Sequence, residues 1–231
     1  MFDRPHHRRI ARLLKSLDAG LLDEHGCLFG GGTAIALRFG KYRESVDVAF
    51  LVSRLEGYRE LRQRLSGSAG IGVILKPGEH LTQMREVRLD QYGIRTLLQM
   101  DGAPIKFEIV LEGRIELDPP GPDDLICGVA TLTPMDMATS ELLANADRWR
   151  DDAVFSRDLI DLAMMKLPAA VMPLALAKAT QVYGDSVVQC LRKAIDNLRT
   201  RPHRLDQCMR AMDMTTLSKA ARWSRIRSLE A

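Results

Sequence analysis

Residues 28–52, LFGGGTAIALRFGKYRESVDVAFLV, leave the chain few ways to fold. A short apolar strand runs into Gly30, Gly31 and Gly32, and Thr33 then opens an apolar stretch suited to a short helix. Arg38, Lys41 and Arg43 charge a loop that ends at Ser45, and residues 46–50, VDVAF, have the pattern of a buried strand carrying one carboxylate, Asp47. A glycine turn feeding a helix N-terminus is a natural seat for phosphate: the backbone can come close, and unpaired N–H groups and the helix dipole favour an anion. A carboxylate on the neighbouring strand is placed to hold the magnesium ion that accompanies such a phosphate. The same residues also describe a plain tight turn beside a solvated strand edge.

The rest of the chain divides by pattern. Apolar residues Ile10, Leu13, Leu14, Leu17, Leu21 and Leu22 form one stripe, which predicts a helix over 5–24. The first strand is expected at 27–29 and a surface helix at 54–65. Strands are expected at 71–75, 84–90, 93–100 and 105–110, the last two joined by the turn Asp101-Gly102-Ala103-Pro104. In the last strand Lys106 and Glu108 share a face, because strand side chains repeat every two residues. Glu112 and Arg114 suit a turn or an ion pair. Residues 118–134, rich in proline and glycine, mark a boundary between an α/β part (1–130) and a helical part (131–231). Helices are expected near 135–150, 173–183, 185–199, 204–212 and 215–227.

Composition bounds the function classes. No apolar run approaches the length of a transmembrane helix, and the charged N-terminus lacks the apolar core of a secretory signal. Cys27, Cys127, Cys190 and Cys208 are far apart and follow no metal spacing, which fits reduced thiols in a cytoplasmic protein. The formal net charge is +3, but the segment 186–231 holds ten Lys/Arg against four Asp/Glu, a local net of +6. That segment suits either a solvated helical face or a surface for a polyanion such as RNA.

The succession of glycine turn, Thr, short helix, basic loop and Ser-x-Asp resembles the first motif of the nucleotidyltransferase fold as found in the AbiEii/AbiGii toxin family. The segment SELLANADRWRDDAVFSRDLIDLAMM resembles that family's helical part, with its Arg-Asp-x-x-Asp motif at Arg157, Asp158 and Asp161. The resemblance covers roughly residues 5–170. It implies an α+β protein: a mixed β-sheet with flanking helices, followed by a C-terminal helical bundle. It implies metal ligands at Asp47 and Glu108, and nucleotide contacts from Gly31, Gly32, Thr33, Arg43, Ser45 and Arg157, with Asp158 also in the site. Two departures stand out. The family's Asp-x-Asp ends here in Ala49, and a lysine expected to reach the phosphates is replaced by Glu141. A methyl group cannot coordinate a metal, and a carboxylate repels a triphosphate.

The resemblance further implies NTP and RNA (the tRNA 3′ end) as substrates, magnesium as cofactor and a cognate antitoxin as partner. With Ala49 in place, transfer is expected to be weak or absent. Two other readings stay open: a nucleotide- or partner-binding pseudoenzyme, and a nucleotidyltransferase acting on a small polar molecule of the aminoglycoside type. Arg157 and Asp158 also suit helix capping and a structural ion pair.

Overall fold

The computed structural model describes residues 2–230. The chain forms two compact units, one of residues 1–34 and 45–133, the other of Ile35–Glu44 and Pro134–Ala231. The second therefore contains the basic loop that the sequence boundary had left in the first.

The first unit opens with α1 (Pro5–Ser16) and α2 (Ala19–Glu24) in place of one long helix. The break lies at Leu17 and Asp18. Asp18 caps α2 by accepting the Leu21 N–H at 3.1 Å, the role for which a short acidic side chain is suited. Backbone bonds from Asp18 to Ile74 and from Lys76 to Ser16 hold the extended residues between the helices. The strand expected at 71–75 is instead a 3₁₀ turn, Gly70–Ile74, joined to this point by an isolated bridge from Leu75 to Leu17.

A six-stranded mixed sheet follows. Its strands are β1 (Leu28–Gly30), β2 (Asp47–Val52), β3 (Thr82–Gln83), β4 (Arg88–Leu89), β5 (Gly93–Met100) and β6 (Ala103–Leu111). The order is β1-β2-β6-β5-β3, with β4 also on β5; β2 and β6 run parallel and the other pairs antiparallel. Of the strand expected at 84–90 only the short β4 forms, β3 lying before it, and the surroundings of both are largely exposed. One sheet face is buried: Phe29, Phe50 and Phe107 stack across β1, β2 and β6 with centroid separations of 5.5 and 5.7 Å. The other face is half-open and carries Asp47, Ala49, Glu108 and Arg95. Helix α3 (Gly31–Arg38) follows β1 directly. The connection at 118–134 folds a small hairpin, β7 (Leu125–Ile126) and β8 (Val129–Ala130).

Helix α4 (Leu55–Leu65) packs by Tyr58, Leu61 and Leu65. Gly57 allows a close approach, since a Cβ there would stand 2.3 Å from the His25 carbonyl oxygen. Gly57→Ala is expected to destabilise the protein by about 1–3 kcal/mol, read as a lower urea midpoint at unchanged slope. An unchanged midpoint would show that α4 can shift freely away from His25.

The second unit is helical: α5 (Pro134–Arg148), α6 (Arg157–Met164), α7 (Val171–Tyr183), α8 (Ser186–Thr200), α9 (Arg204–Ala211) and α10 (Lys219–Arg227). Helix α5 packs against α6, α7 and α8, and α10 lies on α6. Among the described residues no helix is long and apolar enough to cross a membrane, and all four cysteines are free thiols.

Candidate active site

The half-open sheet face gathers the first group of expected residues. In the parallel register Asp47 stands beside Lys106, and Ala49 stands beside Glu108. Ala49 is thus two residues along the strand from Asp47, on the same face, and directly next to Glu108. The turn at Gly31 comes over it: Gly31 has φ +67°, and a Cβ there would be 3.5 Å from the Ala49 Cβ. A residue with positive φ and a close neighbour is one that glycine fills without strain. Gly31 and Gly32 are part-exposed and open the first turn of α3.

Thr33 is different. It is buried, and its hydroxyl donates to the Asp47 carbonyl at 2.5 Å. With that proton committed, Ser45 Oγ is the donor in its 2.6 Å bond to Thr33 Oγ1. Thr33 and Ser45 thereby fix the entry to β2 and hold Asp47 in place. Glu108 is partly exposed and faces Lys106 Nζ at 3.3 Å and Arg95 Nε at 3.9 Å.

This donor set does not fit a two-ion magnesium centre. Such a centre needs oxygen ligands converging from several carboxylates. Here there are two, one of them facing a lysine, with a methyl group beside Glu108 and two residues from Asp47. Among the described residues no three His, Cys, Asp or Glu side chains come together as a metal-holding group.

The second group lies in the helical unit. Arg43 is 5% exposed. It grips Asp161 with both arms of its guanidinium, Nε to Oδ1 at 2.7 Å and Nη2 to Oδ2 at 2.6 Å, while Nη1 donates to the Glu44 carbonyl. The Tyr42 hydroxyl donates to the same Asp161 Oδ1 at 2.5 Å. Burial works against the Arg43 charge, but the Asp161 carboxylate overrides it and the guanidinium pKa is raised. This pair ties the loop after α3 into the second unit, which accounts for the membership of Ile35–Glu44. Asp158 is buried and accepts from Arg148 Nε at 2.8 Å and Nη2 at 2.7 Å, whereas Arg157 is part-exposed and stands 3.8 Å away.

Glu141 belongs to the same cluster. It is buried, and its Oε2 has no hydrogen-bond partner among the described residues. Burial, and then the charges of Asp158 and Asp161, push its pKa well above the ordinary 4.5. Burial thus favours the protonated form of Glu141 beside the Arg43–Asp161 and Arg148–Asp158 pairs, a grouping invisible in the sequence because its members come from 42–43, 141–148 and 158–161. The folded state keeps the Glu141 proton after the unfolded chain has lost it. Its contribution to stability is therefore full below about pH 4.5 and declines as pH rises towards the folded value. Glu141→Gln is expected to gain stability relative to the parent as pH increases from 4.5, in thermal melts at stepped pH. Parallel pH profiles would show that Glu141 ionises normally.

The family model describing a nucleotidyl transferase AbiEii toxin of type IV toxin–antitoxin systems matches residues 12–228. No curated protein matches the chain. Among solved structures, JHP933 from Helicobacter pylori is 13% identical, with 97% of this chain and 88% of that chain covered at a TM-score of 0.52. MenT4, a nucleotidyltransferase toxin from Mycobacterium tuberculosis H37Rv, is 18% identical, with 96% and 82% covered at a TM-score of 0.52. At these identities the likeness concerns the fold, and that fold is nucleotidyltransferase-like. With the motif order, the sheet register and a family match over nearly the whole length in agreement, the chain belongs to the AbiEii nucleotidyl transferase toxin family.

Proposed function

We propose that this chain is a toxin that binds a nucleoside triphosphate at the Gly31–Gly32 turn and whose family chemistry is transfer of a nucleotide to an RNA acceptor, the 3′ end of tRNA. In this chain that transfer is weak or absent because Ala49 replaces the second aspartate. The observation that carries the reading is the register of β2 on β6. It puts the Ala49 methyl next to Glu108 and two residues from Asp47, the position from which a carboxylate would complete a three-ligand set. The protein's own groups still suit nucleotide binding: a part-exposed glycine turn opening α3 for phosphate, and Asp47 held by Thr33. Magnesium is assigned only to the restored site, since the present donors do not fit it. A cognate antitoxin is the expected protein partner, and the cytoplasm the expected place of action.

The test is transfer of label from each of the four NTPs to tRNA, with an aminoglycoside panel in parallel, by the parent, Ala49→Asp, and Ala49→Asp with Glu141→Lys. Label on tRNA from either variant supports the reading. Label on a small molecule moves the substrate class. No transfer from either variant, with triphosphate binding retained, identifies a binding protein without chemistry.

A further inference from the structure

A groove of about 860 Å³ in the first unit was not foreseen from the sequence. It lies between α4 and the ends of β5 and β6, and four arginines line it: Arg59, Arg62, Arg95 and Arg114, against one acid, Glu112. Two of the cations are held rigid. Arg114 is fixed by buried Glu112, through Nε at 2.9 Å and Nη2 at 2.7 Å. Arg95 Nη1 donates to Asp90 Oδ2 at 3.0 Å. Arg59 and Arg62, on the outer side of α4, make no ion pair among the described residues and keep their charge for a ligand.

An aromatic ring completes the wall. Tyr92 is 65% exposed, and its turn is locked because Asp90 Oδ1 accepts the N–H groups of both Tyr92 and Gly93, at 2.8 and 2.9 Å. The Tyr58 hydroxyl donates to the Asp90 carbonyl at 2.8 Å, joining α4 to the same turn. The braced turn holds the ring in place, open to a ligand. Beside arginines it has the two features that a single nucleic-acid strand uses, phosphate neutralisation and base stacking. The groove also adjoins the half-open sheet face, since Arg95 stands opposite Glu108 in the β5–β6 register.

We propose that this groove binds a single-stranded RNA segment, with Arg59 and Arg62 on the phosphates and Tyr92 stacking on a base, and that it leads the strand to the sheet face bearing Asp47 and Glu108. The proposal rests on the RNA-acceptor reading above and moves the principal RNA surface from the basic segment 186–231 to the first unit.

The experiment is fluorescence anisotropy of the full chain with a short labelled single-stranded RNA bearing a free 3′ hydroxyl, over a series of KCl concentrations. Variants are Arg59→Ala with Arg62→Ala, Tyr92→Ala, and Arg192→Ala with Lys193→Ala on α8 as the rival surface. All five positions are exposed or part-exposed, and unchanged thermal melts confirm folding. Loss of two phosphate contacts is expected to reduce the salt slope of log affinity by about 1.4 in the first variant. Tyr92→Ala is expected to weaken binding about 5- to 150-fold with the slope unchanged, and the α8 variant to stay near the parent. No RNA binding by the parent, an unchanged slope in the first variant, or a slope lost to the α8 variant instead overturns the proposal. Groove-dependent binding without transfer by Ala49→Asp removes the transfer reading and leaves the groove; transfer with groove-independent binding does the reverse.

Discussion

Ala49→Asp is expected to raise transfer of nucleotide to RNA by about 10²–10⁴-fold over the parent in the presence of magnesium. A metal ion placed at a reacting phosphoryl group supplies several kcal/mol of charge stabilisation, and each 1.36 kcal/mol is a factor of ten in rate. Gly31, which comes over position 49, carries no side chain to compete with the new carboxylate. The substitution has a signature apart from activity. It places a third carboxylate next to Glu108 and two residues from Asp47, and like charges so close repel. The variant should therefore melt below the parent without metal and recover on adding magnesium, since a ligand bound only by the folded state stabilises it. The parent, with two carboxylates, should show a much smaller magnesium response. Equal melting shifts in both would mean that position 49 does not face the metal site.

Asp161→Ala is expected to destabilise the protein by about 3–5 kcal/mol, the usual penalty for removing one partner of a buried ion pair. The reason is what remains behind. Arg43 would keep a buried charge with neither of its two Asp161 bonds, and the Tyr42 hydroxyl would lose its acceptor. Tyr42→Phe removes donor and demand together and is expected to cost only about 1 kcal/mol. Denaturant unfolding of the two variants separates these cases. The same series tests what Arg43 does. A nucleotide contact would show chiefly as lost triphosphate affinity, whereas a tether would show chiefly as lost stability, and Arg43→Lys would not rescue it because an ammonium cannot reproduce the two-armed grip. A drop below about 1 kcal/mol for Asp161→Ala would mean that the pair opens to water in solution.

Much of the frame was open to reading from residue patterns. Alternation and turn chemistry marked Gly93–Met100 and its partner strand, and helical patterns found α4, α5 and α7 to α10 within a few residues. What misled was local pattern without tertiary context. The apolar stripe over 5–24 is continuous, but Asp18 caps a second helix inside it. Ile71 to Leu75 look like a strand, yet among the surrounding glycines the segment forms a 3₁₀ turn bridged at Leu75 to Leu17. Of the turn and the ion pair that Glu112 and Arg114 suited, two residues apart, the structure shows the ion pair.

By itself the sequence determined the glycine turn and the strand carrying Asp47 and Ala49, since these are properties of neighbouring residues. Only the tertiary structure decided what those residues do. The register set Ala49 beside Glu108, burial gave Thr33 and Arg43 partners inside the protein, and the approach of distant segments raised the pKa of Glu141 and made a basic groove around Tyr92. Identity fixes which groups a chain has; the partners and water around each group, which depend on contacts between segments far apart in sequence, fix its charge and its availability.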